Sequence, residues 1–394
     1  MIFFLLACNP SPKNSCKADV AWITDPSLPI DVAETESFCD FYQFSWQWFL
    51  AQTQQAEDPQ KNQERVFEQN RIYQFGGVKN QCNLPPIVGR HASFEHQQAR
   101  IRKSDEFERI EADSHALYDQ NENILSYNIY YAAQNCEATE KGFPPKSLEI
   151  KAAWMKLKEP SDKYLTIAEP AGESLEYYGL VGMHFAIWTP RHPEAIWVTW
   201  EHRDNAPLCD GSSPVQSYNF ASKAASKCLH EKKSALKCAD FKFNIPHEIT
   251  PAPDKGKPIN VCREYAYGNQ HGKAINGNDT SANLLAIQSL NNELVGPHGL
   301  LTKLHNRNPM KVWSNYQMVG ALWTKGGQES GVLPVPHNGG SASPSSPQRG
   351  SLELTNMSME TFQQGEDSYV PNCFGCHGYK SQTPLGVSHI QQDL

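Results

Sequence analysis

Seventeen residues follow Cys373-Phe374-Gly375-Cys376-His377 in this 394-residue chain. Two thiols two residues apart, with an imidazole immediately after, place three strong ligating groups on one turn of backbone. With 11 cysteines and 14 histidines in the chain, chance alone supplies about 0.01 such matches. Whatever bulky group this turn holds must be enclosed mainly by chain upstream, because the short tail cannot wrap it. A zinc site built on Cys-x-x-Cys wants a second pair of ligands, and downstream there is only His389. A thioredoxin-like redox pair needs a βαβ context that such a tail cannot form.

The spacing meets the demands of covalent haem attachment. Cys373 and Cys376 can form thioethers with the two vinyl groups, and His377 then reaches the iron from one face. One covalent haem c is therefore expected. A bare haem exposes a large apolar face, which the preceding segment, the body of the chain or a partner must cover. The sixth iron ligand, if there is one, comes from elsewhere in the chain. Met359 and Met357 stand first, because a short helix from Ser358 brings them near the attachment turn. His184 and His202 stand second: they share parity on two expected strands, so an even-sum register sets them on one face. His389 stands third.

On these five residues the chain resembles c-type cytochromes. A looser likeness runs through Asn356-Met357-Ser358-Met359-Glu360-Thr361 ahead of Asn372, and is similar to uncharacterised bacterial cytochrome-like lipoproteins with a C-terminal haem motif. The resemblance implies a monohaem electron-transfer protein. It departs from small cytochromes c, whose attachment site is N-terminal with a methionine ligand after it; no Met follows Met359 here. It departs from the four-helix cytochromes c′ in having a β-rich body.

The N-terminus and the other cysteines point to export. Ile2 to Ala7 are unbroken apolar residues ending at Cys8, far short of the ~18–20 needed to span a bilayer. Leu5-Leu6-Ala7-Cys8 resembles a lipobox, which implies lipidation of Cys8, residues 1–7 as a signal-peptide remnant and residues 8–18 as a tether to the membrane. Cys16, Cys39, Cys82, Cys136, Cys209, Cys228, Cys238 and Cys262 lack metal-knuckle spacing and can form up to four disulfides, which persist outside a reducing cytosol. The expected location is the periplasmic side or the surface of a Gram-negative cell, as an outer-membrane lipoprotein.

The pattern between is α+β: a large β-rich body over residues 19–330 with a few helices. Ser37 and Asp40 have capping-box spacing ahead of Phe38, Phe41, Tyr42, Ser45, Trp46 and Phe49, a helical aromatic stripe that suits either a core or a haem pocket. Leu117-Tyr118 and Leu125 to Tyr131 suggest a hairpin. Leu148 to Lys158 alternates and then slips before Met155, as a bulged strand does. Gly179–Thr189 and Glu194–His202 form two further strands, Ser281–Val295 a helix, and Val312, Tyr316, Met318 and Leu322 one face of another strand. Residues 331–350, rich in Gly, Ser and Pro, are expected to link the body to a mostly helical and loop haem segment at 351–394.

The formal charge of −8 comes without a long basic run, so no nucleic-acid partner is expected. No Gly-x-Gly-x-x-Gly, His-Glu-x-x-His or Gly-x-Ser-x-Gly occurs, and Gly268 to Ala274 falls short of a P-loop. The leading expectation is electron transfer to a redox partner protein. Two alternatives are a haem oxidoreductase with an open face for peroxide or nitric oxide, and a gas-binding sensor.

Overall fold

Eight antiparallel strands build one sheet: β1 (Ile72–Gln74), β2 (Ser126–Ala132), β3 (Leu148–Leu157), β4 (Thr166–Ala171), β5 (Ser174–Ile187), β6 (Ile196–His202), β7 (Tyr316–Thr324) and β8 (Gln348–Gly350). Their order is β1-β2-β3-β5-β6-β7-β8. β3 runs along one edge of β5, while β4 and β6 share its other edge. This is a computed structural model, and it describes residues 16–53, 72–74, 82, 115–171, 173–246, 256–269, 279–325, 348–364, 372–378 and 388. Cys8, His389 and residues 326–347 lie outside that set. With five short to medium α-helices among the described residues, the architecture is α+β.

One face of the sheet is covered by α2 (Phe38–Gln52) and α4 (Thr280–Val295), which follow α1 (Ala21–Thr24) and α3 (Lys223–Lys232) in chain order. Ser37 and Asp40 close the expected capping box on α2, and Asp279 caps α4 by accepting from Ser281 N and Ala282 N. Capping satisfies backbone donors that no helical carbonyl reaches. The aromatic stripe of α2 is core: Phe49 stacks on Trp200 with centroids 4.6 Å apart, and Phe41 on Trp323 at 3.9 Å. It lines the face opposite the cysteine turn, so it forms no part of a haem pocket.

Several strand expectations change in instructive ways. β3 does not slip. Leu148, Ile150, Ala152 and Trp154 all face the helices, while Ala153 and Met155 enter a second apolar cluster on the other face. The apparent slip is a passage from one-sided to two-sided burial, and the extra residue is Val181 of β5, opposite the step from Ala153 to Trp154. A second bulge inserts Val319 in β7. It swaps parity, so Leu322 turns away from the face of Tyr316 and Met318. Val312 precedes that strand in a 3-10 turn, Pro309–Asn315. The hairpin at Leu117 has one arm reduced to a bridge between Tyr118 and Ile124.

The far face receives the segment from Gln348 to Gln364. Residues 348–350 are strand β8, paired with β7 through Leu322 and Gly350, so the expected linker ends earlier than 350. The short helix expected from Ser358 is a hydrogen-bonded turn in which Ser358 N donates to Asn356 Oδ1 and Glu360 N to Asn356 O. Asn356 Nδ2 reaches down to Thr199 Oγ1 at 2.7 Å and Trp200 O at 3.2 Å. Gly182 makes room, since a Cβ there would overlap Ser358 Oγ and the Asn356 amide. Beneath the turn, Glu201 Oε1 accepts from Arg263 Nη2 at 2.5 Å and from Met357 N at 2.6 Å, and Arg263 Nη1 donates to Thr355 O at 2.9 Å.

Arg263 and Glu201 are both nearly inaccessible. Removing one partner strands a buried charge, which costs ~3–5 kcal/mol. Arg263→Ala should therefore lower unfolding stability by about that amount, read as a drop in the urea midpoint; a loss under ~1 kcal/mol would show that the pair does not secure the segment.

Candidate haem-attachment site

Cys373 to Gly378 form a single helical turn and a half, α5. Asn372 opens it: its Oδ1 accepts from Gly375 N at 3.3 Å, while its Nδ2 donates to Gln348 Oε1 at 3.0 Å and Leu352 O at 2.9 Å. One buried side chain thus begins the helix and ties it to β8 and to the segment that follows. Phe374 is fully buried in a third apolar cluster with Trp188, Trp197, Leu322 and Leu354. It is the anchor that turns the rest of the helix outward.

At about 100° per residue, positions i, i+3 and i+4 fall on one side of a helix. Cys373, Cys376 and His377 therefore share a face. Cys376 is exposed, and Cys373 and His377 are half-buried. The His377 ring leans on Trp197, with centroids 4.2 Å apart and planes at 42°. The other eight described cysteines pair as Cys16–Cys39, Cys82–Cys136, Cys209–Cys262 and Cys228–Cys238. Among the described residues only Cys373 and Cys376 lie outside a disulfide.

Burial pushes the Cys373 thiol far above its ordinary range, and the nearby Glu360 and Cys376 add to the effect. It stays a neutral thiol at physiological pH, which ill suits thiol–disulfide exchange through a thiolate. No group of three or more His, Cys, Asp or Glu among the described residues is arranged to hold a metal ion. Two thiols outside the disulfides and an imidazole on one face, set against an indole, do fit a porphyrin that brings its own four nitrogens and needs one or two protein ligands.

Strand register brings a set of charged groups to the same face. Lys151 pairs with His184, Glu149 with Ala186, and Ala186 in turn with Trp197. His184 Nε2 meets both carboxylate oxygens of Glu360, at 2.9 and 3.0 Å. Burial alone would raise Glu360, but His184, Lys151 and the Asn356 amide outweigh it and hold the carboxyl below its usual range. Glu149 is different: burial pushes it up to about 7, against the hydrogen bond donated by Ser388.

The sixth-ligand candidates separate clearly. Met357 and Met359 are fully enclosed in the second cluster with Leu117, Leu125 and Val261, apart from the cluster that holds Phe374 and Cys373. They pack; the structure does not bring them to His377. His202 lies on the opposite face from His184, because β5 and β6 pair in an odd-sum register, Gly182 with Glu201 and His184 with Thr199. Both its ring nitrogens are used, Nε2 donating to Lys163 O at 3.0 Å and Nδ1 accepting from Asp204 N at 3.1 Å, and burial pushes its pKa down to about 4. Of the two histidines, only His184 shares the sheet face on which α5 packs. Sequence reasoning missed Trp197, Glu149 and Lys151, which no motif marks; Glu360 and Asn372 stood in the quoted likeness without a role.

The fold and site define an α+β protein that displays a Cys-x-x-Cys-His helix on one face of an antiparallel sheet. No family model, curated protein or solved structure matches the chain.

Glu149 makes a pH prediction. Its folded pKa lies above the ordinary 4.5, so the folded state binds that proton more tightly than the unfolded state. The associated stability is complete below about pH 4.5 and is lost as pH rises through about 7. Glu149→Gln should remove this loss, gaining ~1–3 kcal/mol over the parent at pH 8 and little at pH 4.5. Parallel stability–pH curves for the two proteins would refute the assignment.

Proposed function

We propose that the chain is an exported monohaem c-type cytochrome that transfers electrons to or from a redox partner protein. The observation that carries this reading is that Cys373 and Cys376 share one helix face with His377 and lie outside the four disulfides that bridge every other described cysteine. Cys373 and Cys376 would hold one haem c as thioethers, and His377 would be its axial ligand. When bound, the haem supplies a one-electron ferric–ferrous couple. Trp197 orients the His377 ring, and Asn372 and Phe374 fix the helix against the sheet. Four disulfides support maturation in an oxidising compartment, which is also where haem attachment to such a turn belongs. A lipid on Cys8 would hold the protein at the outer membrane and keep its haem edge within reach of a soluble partner. No helix among the described residues is long and apolar enough to cross a membrane.

Expression with the c-type assembly machinery should yield one haem per chain that survives denaturation, measured as a pyridine haemochrome. Cys373→Ser combined with Cys376→Ser should abolish covalent retention, and His377→Ala should leave the haem high-spin or lower its yield. Haem that is wholly extracted from the parent protein by acid acetone would end this reading.

A further inference from the structure

His184 and Glu360 form a pair that neither the attachment chemistry nor the packing of the sheet requires. His184 stands in the middle of β5 on the face of the attachment helix, two residues from Ala186, whose partner across the ladder is Trp197, the ring on which His377 rests. Its side chain is 18% exposed and that of Glu360 23%, so the pair is sheltered without being sealed off. Glu360 also accepts from the backbone of Asn356, and Lys151 pairs with His184 from the next strand. An ionised carboxylate can only accept, so Nε2 must carry the proton that lies between them. In the neutral ring this leaves the lone pair on Nδ1. Among the described residues no hydrogen bond engages that nitrogen.

Metal-ligating histidines characteristically donate their other ring N–H to a carboxylate, which fixes the tautomer and strengthens the ligand. Here that outer arrangement is already assembled: the carboxylate is placed by a turn anchored on Asn356, whose N donates to Glu360 Oε2 at 3.1 Å. We infer that His184 is the second axial ligand of the haem, bound through Nδ1, with Glu360 as the positioning residue that orients its ring. The inference rests on the haem reading above and deepens it, because bis-histidine ligation closes the iron to small molecules and gives a lower potential than a methionine ligand would.

The test uses the full chain with its covalent haem. The reduced parent should show a low-spin spectrum that carbon monoxide does not alter. His184→Ala should become high-spin and bind carbon monoxide, and added imidazole should restore the low-spin spectrum, a rescue that a merely structural histidine would not show. Glu360→Gln should stay low-spin and shift the reduction potential upward. Met357→Leu and Met359→Leu should leave the spectrum unchanged. A low-spin spectrum that persists in His184→Ala, or a parent that already binds carbon monoxide, overturns the ligand assignment while the pyridine haemochrome still reports covalent haem. Absence of that haemochrome defeats the haem reading itself, and this inference with it.

Discussion

Glu201 is the point on which the far face of the sheet depends. One buried carboxylate oxygen accepts from the Arg263 guanidinium and from the backbone of Met357, and Arg263 in turn holds the carbonyl of Thr355. A charge in this position is tolerable only if it is paired and hydrogen-bonded. Its two partners come from separated stretches of chain, so satisfying the charge also fixes where the C-terminal segment lies. Asn356 completes the docking, bonding to β6 with its amide and starting the turn that delivers Glu360 to His184. From this segment the chain goes on to Asn372 and the attachment helix, which a second set of contacts fastens to β8.

The two faces of the sheet do different work. The helix-covered face is apolar and aromatic, with Trp46, Trp154, Trp200 and Trp313 fully buried there, and its burial supplies most of the driving force for folding. The far face is divided into two smaller apolar clusters, and a strip of polar side chains on β3, β5 and β6 carries Lys151, His184, Thr199 and Glu201. The bulge at Val181 lets β5 present Val181 to one cluster and Gly182 to the docked turn. This division leaves the His184–Glu360 pair partly exposed near Cys373.

Much of this was legible in the amino-acid order. The helix from Phe38 follows from Ser37, Asp40 and aromatic residues at helical spacing, and the helix to Val295 follows from periodicity and its stop at Gly296. Apart from Cys8, the eight cysteines outside the Cys373–His377 turn were readable as a disulfide set, although their pairing was not, because it depends on which loops the sheet brings together. Where the reading of β3 and β7 went astray, the cause was a bulge or a second buried face. Periodicity in one strand reports burial without saying on how many sides, and a residue inserted in a partner strand leaves no mark on its neighbour.

By itself the sequence determined the chemistry of one helical turn: Cys373, Cys376 and His377 are ordered by covalent spacing, which no fold can rearrange. The tertiary structure decided what surrounds that turn. Parity made His184 and His202 equivalent, and only the odd-sum register of β5 and β6 put them on opposite faces. Nearness in sequence favoured Met357 and Met359, yet the pull of an apolar cluster buried them away from His377. The distinction is physical: local spacing is set by bonds, whereas the neighbours of a side chain are set by which distant surfaces the whole chain must bury together.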